Sequence, residues 1–368
     1  MARELRDLRI GLVGPVPPPS GGMANQLLQL ERLLRGEGAT VEVVPVNPPY
    51  RPGWIGGVIG ARAAARLLPY AAALRRAAGR VDLFHVLASS GWSWHLFAAP
   101  AVWIGRGRGI RVVVNYRGGG AAEFLARAAW CVKPTLARAD ALVVPSGFLE
   151  QVFARHGFRA EIVPNVIDAD RFAPPSGHIT RSGLGPHIVI ARNLEPVYDI
   201  ATGLKAFRRI RDALPTARLS IAGSGPERER LGALAAGLAL GASVRFVGRV
   251  DNEAMPALYH SADVVLNPSL ADNMPISILE ALASGVPVVT TNVGGIPYLV
   301  RHDETAQMVS PGDAGAMAAA VLRLCSDSAL ADRQSRAGLA LAREYTWTRV
   351  RDRLGKVYQA VLARAGGT

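Results

Sequence analysis

Short runs rich in Val, Ile and Leu alternate with longer stretches of helical spacing along all 368 residues. The runs are Leu8–Val13, Val41–Val46, Leu83–Leu87, Arg111–Tyr116, Ala141–Pro145 and Glu161–Val163, with helical patterns such as Met23–Arg35 and Ala121–Ala139 between them. The pattern then restarts with His187–Ala191, Arg218–Ala222, Val244–Val247, Val264–Asn267, Val286–Thr290 and Gln307–Val309. Apolar runs without alternation are strands buried on both faces, and their alternation with helices predicts parallel sheets in βαβ units. Ala173–Pro186, rich in Pro, Ser and Gly, reads as a linker. Two doubly wound domains are therefore expected, residues 1–174 and 175–347, facing each other across a cleft. Ligands of such sheets bind beyond the carboxyl ends of the strands. Thr348–Ala363 reads as a helix with no strand to follow, expected to pack back on the first domain.

Composition narrows the class. Apolar residues make up 49% and charged residues 19%, which excludes a disordered chain or a coiled coil. Cys131 and Cys325 offer neither a metal spacing nor a disulfide framework, so a reducing, cytoplasmic compartment is expected. Met1–Arg9 alternates charge and leads into a strand, unlike a signal peptide. Leu83–Gly105 has 23 residues without a formal charge, long enough to cross a membrane. Its histidines, Pro100 and the Ser89-Ser90-Gly91 break instead predict a buried strand, a loop and a buried helix.

The net charge of +13 is uneven, with +9 in residues 1–174 and +4 in the rest. A basic first half suits an anionic partner, and the absence of any RNA- or DNA-binding motif argues against nucleic acid. Trp54–Ile59 leads into Ala61–Arg76, where Arg62, Arg66 and Arg76 accompany Leu67, Tyr70 and Leu74, with a break expected near Pro69. Two readings stay open for this segment: a basic amphipathic surface for an anionic membrane, or a packed helix with snorkelling arginines.

The sharpest chemistry lies in Asp272-Asn-Met-Pro-Ile-Ser-Ile-Leu-Glu280, continuing Ala-Leu-Ala-Ser-Gly285-Val-Pro-Val. A strand ends in a polar loop, Asp272 or Asn273 is expected to cap a helix with Pro275 near its first turn, and Gly285 ends it. The free N–H groups of a helix start suit a phosphate. Two acids with seven residues between them can hold two hydroxyl-bearing parts of one ligand. The bland alternative is a well-capped helix with an incidental Glu.

These residues resemble the retaining nucleotide-sugar glycosyltransferases of the GT-B fold, family 4. The family pairs two acids at this spacing, the second of them opening Glu-Ala-x-Ala-x-Gly-x-Pro-Val as Glu280 does here; Asp272 stands where Glu is usual for the first. Val144-Pro-Ser-Gly-Phe148, Val163–Asp168, Ile221–Pro226, Phe246–Gly248, Tyr259–Asp263, Asn267-Pro-Ser269 and Thr291–Pro297 follow in family order. The resemblance implies two Rossmann-like domains, the donor held by the second and the acceptor by the first. It implies that Asp272 and the backbone of Asn273, Met274, Ile276 and Ser277 hold the donor sugar and diphosphate, that Glu280 binds the ribose hydroxyls, and that Val247 lies against the nucleobase. Gly21 and Gly22, in Pro17–Met23, would close over the donor. His85 and Arg117 would contact acceptor or sugar, Arg117 standing where a histidine is common. Arg192 matches the family's diphosphate arginine, but Val197 or Tyr198 replaces the lysine that usually accompanies it.

The expected activity is metal-independent glycosyl transfer with retention, in glycan or glycoconjugate biosynthesis, with Arg117, Arg192 and Asp272 in the catalytic role. No cofactor is expected beyond a UDP- or GDP-sugar co-substrate. The acceptor is open, a lipid-linked glycan among the candidates, with peripheral contact to the inner face of a membrane through the basic first domain. The alternative is a non-catalytic GT-B subunit that stabilises or localises a partner.

Overall fold

The computed structural model describes residues 4–18, 21–48, 61–174 and 185–364. All twelve apolar runs are strands. The first sheet holds β1 Arg9–Gly14, β2 Thr40–Pro45, β3 Leu83–Ala88, β4 Arg111–Tyr116, β5 Ala141–Val144 and β6 Glu161–Ile162, in the order β2-β1-β3-β4-β5-β6. The second holds β7 His187–Ala191, β8 Arg218–Ala222, β9 Val244–Gly248, β10 Val264–Asn267, β11 Val288–Thr291 and β12 Gln307–Val309, in the order β12-β11-β10-β7-β8-β9. Every named pairing is parallel.

Period-two burial explains the absence of polar alternation. Ile188 and Ile190 pack into one apolar cluster of the second sheet, and Val189 between them packs into the cluster on the other face. With helices on both faces, each strand position meets apolar neighbours, so the strands read as continuous runs. In each sheet the chain winds outward one way and then the other. The order reverses between β1 and β3 in the first sheet and between β7 and β10 in the second. At such a reversal the loops leaving two adjacent strands diverge, opening space for a ligand.

The chain divides into two compact units, Met1–Asn165 with Val350–Thr368, and Val166–Arg349. The boundary thus precedes the one expected at 174, and the expected linker lies mostly outside the described residues. Residues 166–172 join the second unit because Ile167 N–H donates to the Tyr345 carbonyl (2.9 Å) and Phe172 is buried against Tyr259. The last helix, Trp347–Ala363, groups with the first unit from Val350 onward.

Leu83–Gly105 is a strand, a π-helical turn Trp94–Ala98 and the helix Ala99–Gly107. No single helix among the described residues is long and apolar enough to cross a membrane. The basic segment forms one helix, Ala61–Ala78, which continues through Pro69 without the expected break. Its Tyr70 and Leu74 are core residues, Tyr70 donating to the Phe97 carbonyl (2.8 Å), which agrees with the packed-helix reading of the two left open. Trp54–Ile59 lies outside the described residues.

Candidate functional site

The second sheet's reversal brings two loops together. One leaves β7 as Arg192-Asn193-Leu194, and the other leaves β10 as Pro268–Pro275. The β10 loop is anchored by a buried polar ladder: Asn267 donates to Thr290 Oγ1 (3.0 Å), Ser269 Oγ donates to Asn267 Oδ1 (2.9 Å), and Thr291 Oγ1 donates to the Ser269 carbonyl (2.6 Å). Behind it, the Asp272 carbonyl accepts from Gly295 N–H (2.9 Å). A Cβ on Gly295 would collide with the Asn273 carbonyl, so the Gly294-Gly295 pair is what lets the 291–295 segment press against this loop. On the other side, Gly225 packs against the Leu194 backbone where no side chain fits. Gly223-Ser-Gly225 is therefore a tight strand-to-helix turn supporting the Arg192 loop.

Arg192 lies at the centre, its side chain only 10% exposed. Its guanidinium is ion-paired with Asp272, and donates to Ser269 Oγ (3.2 Å) and Ser277 Oγ (3.4 Å). The Tyr198 ring stacks on it, 4.2 Å from guanidinium carbon to ring centroid. Arg192 Nε is buried without a hydrogen-bond partner. Burial lowers the Arg192 pKa, and the neighbouring Tyr198, Tyr259 and Glu280 oppose that. The position expected for a second cation thus holds an aromatic face that supports the first one.

The helix expected at the acid motif is Ile276–Ala283, ending at Ser284 with Gly285 at φ +69°. Its cap differs from expectation: Pro275 occupies the N-cap with no side-chain bond, and neither Asp272 nor Asn273 caps it. The Asp272 carboxylate is engaged by Arg192 instead. The helix start therefore leaves the N–H groups of Ile276 and Ser277 beside the Arg192 guanidinium, without an intrahelical acceptor. Asn273, Met274 and Ser277 are buried in this loop and first turn, and Ile276 is half-buried.

Glu280 follows one turn later, half-buried, accepting a hydrogen bond from Tyr259 Oη (2.8 Å). Desolvation pushes its carboxyl up to about 7, against the lowering pull of Tyr259, Arg171 and Arg192. Burial in turn holds the Tyr259 hydroxyl well above its ordinary range. Tyr259, Ser269, Asn267 and Tyr198 are site residues that sequence reasoning left without roles. The first three stood in recognised segments, but only the fold shows which side chains they meet. Val247 lies near the carboxyl end of edge strand β9, beyond β8 from Arg192, on the same end of the sheet.

The remaining sequence candidates lie in the first unit. Gly21 is the N-cap of helix Gly22–Gly36, and a Cβ on either Gly21 or Gly22 would meet nothing within 4 Å. Pro19 and Ser20 of that loop lie outside the described residues. Arg117, after β4, donates to Gln26 Oε1 (3.1 Å) of the same helix and to Asn165. Burial lowers its pKa to about 10, still leaving it cationic.

His85 is corrected by the structure. It is fully buried within β3, bonded to Asn115 Nδ2 through Nε2 (3.0 Å) and to Tyr358 Oη through Nδ1 (2.8 Å). Both ring nitrogens are occupied, so it meets no ligand and instead joins the C-terminal helix to the sheet. Burial, aided by the Arg117 charge, lowers its pKa to about 3. An unfolded histidine protonates near 6.5, so the folded state binds fewer protons below that pH and stability falls as pH drops. From pH 7.5 to 5 the expected loss from this residue is about 2 kcal/mol. Denaturant titrations of wild type and His85→Gln check it: a wild-type pH dependence no steeper than the variant's would remove the assignment.

Among the described residues, no group of three or more His, Cys, Asp or Glu is placed to hold a metal ion.

Comparison with known proteins identifies the family and the fold. Residues 20–171 match the family model for glycosyltransferase family 4, and residues 182–340 match that for glycosyl transferases group 1. A glycogen synthase of Mycobacterium tuberculosis is 32% identical over 200 residues, 54% of this chain and 48% of that protein. The match spans about half the length of this and similar curated relatives. Among solved structures, a sucrose-phosphate synthase from Thermosynechococcus elongatus superposes with a TM-score of 0.76 at 21% identity, covering 97% of this chain and 100% of that one. Anabaena Alr3699/HepE, solved with UDP-glucose, gives 0.73 at 17%, covering 98% and 100%. At these identities the structural likeness shows the shared GT-B fold.

Proposed function

Because the chain belongs to the family 4 glycosyltransferases of GT-B fold, we propose that it transfers a glycosyl group from a nucleotide-diphosphate sugar to a carbohydrate or glycoconjugate acceptor, with retention and without a metal ion. The observation that carries this reading is the Arg192 guanidinium held beside the first turn of helix Ile276–Ala283, with Glu280 one turn further on. A diphosphate placed there meets one fixed cation and two backbone donors, and the spare Arg192 Nε supplies a further donor. Such groups stabilise charge that grows on the departing phosphate. The Glu280 carboxylate accepts from the ribose hydroxyls, and Asp272 and the adjoining backbone receive the donor sugar. Arg117 is the second candidate cation, and Gly21 and Gly22 leave open backbone for the donor. No enzymic nucleophile is assigned. The leaving diphosphate takes the acceptor's proton on the face it departs from, and the new glycosidic bond forms on that face.

UDP-glucose in the Anabaena structure supports a UDP-sugar as the first donor to try, with GDP- and ADP-sugars beside it. The test is transfer to a panel of saccharide and lipid-linked acceptors, with the product anomer read by NMR and the assay repeated in excess EDTA. An α-linked product from an α-linked donor, formed at an undiminished rate in EDTA, is the expected result. An inverted anomer would overturn the mechanism, and loss of turnover restored by magnesium or manganese would overturn the metal-free reading. Tyr198 in the position of the usual lysine favours one second reading, a non-catalytic subunit. Nucleotide binding without turnover of any donor would select it.

A further inference from the structure

The first unit carries two tryptophans that are almost fully in water. Trp130 is 81% exposed and Trp92 78%, and Trp103 is 46% exposed. One exposed aromatic is ordinary, but three set around one helix make a patch, and patches mark surfaces for a partner. Trp92, His95 and Phe124 form a chain of edge-on ring contacts at one end of helix Ala121–Leu136. Trp103 meets the other end, donating through Nε1 to Thr135 Oγ1 (3.0 Å) while Arg138 lies over its ring at 3.8 Å.

Helical spacing fixes what surrounds Trp130. Phe124, Ala128, Cys131 and Thr135 form the stripe that faces Trp103 and its neighbours, while Ala121, Leu125 and Val132 pack inward. The outward arc carries Glu123, Ala126, Arg127, Trp130, Lys133, Pro134 and Ala137, so three of its side chains are charged and two of those are cations. The inner stripe is the ordinary one of a surface helix, but its largest aromatic, Trp130, points outward with Arg127, Lys133 and Glu123 around it. Residues 92–139 contain seven basic residues and a single acid, Glu123. Arg106 and Arg111 are matched by Asp140, and Arg117 is turned inward, which leaves Arg108, Arg127, Lys133 and Arg138 on the exposed side.

We propose that this face, helix Ala121–Leu136 with Trp92 and Trp103 at its two ends, docks on an anionic lipid bilayer. Tryptophan suits the headgroup boundary, where an apolar ring and one N–H donor are both satisfied, and arginine and lysine around it meet anionic headgroups. The charge argument selects a membrane over an apolar protein groove, which would leave these cations buried and unpaired. The surface differs from the basic helix Ala61–Ala78, whose Tyr70 and Leu74 are in the core. The proposal stands apart from the transfer reaction, because vesicle binding is measured without donor or acceptor.

The experiment is co-sedimentation of the full chain with vesicles of phosphatidylcholine alone or containing phosphatidylglycerol, at roughly physiological salt. Binding to the anionic vesicles alone is expected. Trp130→Ala should weaken it roughly tenfold, the scale for partly burying one large aromatic side chain. Arg127→Glu with Lys133→Glu should reduce it to the phosphatidylcholine level, since each cation contributes roughly fivefold. Brominated acyl chains should quench the wild type more than Trp130→Phe. Arg75→Glu with Arg76→Glu, on the other helix, serves as the comparison and should bind as wild type does. Unchanged thermal unfolding of these surface variants keeps the comparison clean. The proposal is overturned by absent vesicle binding, by binding indifferent to anionic lipid, or by undiminished binding of the Trp130 and Arg127/Lys133 variants. It is equally overturned if Arg75/Arg76 reversal removes binding, or if a soluble acidic polysaccharide displaces the protein at stoichiometric concentration.

Discussion

Arg192→Ala is expected to lower turnover by roughly 10²–10³-fold at saturating donor, the scale for losing one preorganised charge-stabilising group. The argument rests on how strongly this cation is held. Asp272, Ser269, Ser277 and the Tyr198 ring fix the guanidinium before any ligand arrives, so little reorganisation remains to be done as charge builds on the leaving phosphate. Removal also leaves the Asp272 carboxylate without its cation in a mostly buried place, a loss worth about 3–5 kcal/mol in comparable pairs. Turnover must therefore be read beside unfolding, and Arg192→Lys separates the two effects. It restores the charge but not the planar fork, so it should recover stability more than rate. Tyr198→Lys in the Arg192→Ala background places a cation on the same side and should restore part of the turnover. In the wild-type background the same change removes the aromatic face and sets two like charges together. Arg117→Ala gives the parallel test for the first unit's cation, with nucleotide affinity much less affected than rate. A folded Arg192→Ala protein that keeps wild-type turnover would remove Arg192 from the mechanism.

The strands were legible because each is buried on both faces, and that requirement writes itself into consecutive residues. Ile188, Val189 and Ile190 need no knowledge of their neighbours to be recognised as interior. The acid spacing from Asp272 to Glu280 was legible for the same reason: it lies on one loop and one short helix. What the sequence could not display were contacts made by distant segments. Asp272 looks like a helix cap until Arg192, arriving from β7, takes its carboxylate. His85 looks like a residue at a ligand-facing strand end until Tyr358 closes on it from the C-terminal helix. Val166–Phe172 groups with the second compact unit through Tyr345 and Tyr259, contacts that no local turn signal announces. Composition left two readings open for the basic segment, and only the fold decides between them. Arginines and apolar residues alternate along Ala61–Arg76, which fits a membrane surface or a packed helix alike until Tyr70 and Leu74 are seen in the core; exposure of Trp130 likewise can be read only once helix Ala121–Leu136 has a known inner face.

Nucleotide affinity is expected to fall roughly tenfold as pH drops from 8 to 6, and Glu280 is the group responsible. Its carboxyl sits near 7 because desolvation raises it, with Tyr259, Arg171 and Arg192 opposing. On the proposed reading the ribose hydroxyls donate to this side chain, so the bound state favours the carboxylate. Binding at pH 6 must first remove a proton that the free protein holds, whereas at pH 8 it meets a carboxylate already formed. The sign is therefore weaker binding at low pH, levelling off above about 8. Glu280→Gln removes both the charge and the titration. Its affinity should be roughly 10–150-fold lower at pH 8, the equivalent of about 1.5–3 kcal/mol for a hydrogen bond to a charged group. Its pH profile should retain only the slope that the nucleotide's own phosphate contributes, so the difference between the two profiles isolates the side chain. Tyr259→Phe gives a third profile. The Tyr259 hydroxyl donates to Glu280 and stabilises the ionised form, so without it the midpoint should move to higher pH. Calorimetric titration of all three proteins with the best nucleotide decides the matter. Parallel profiles for wild type and Glu280→Gln would mean that Glu280 does not meet the ribose.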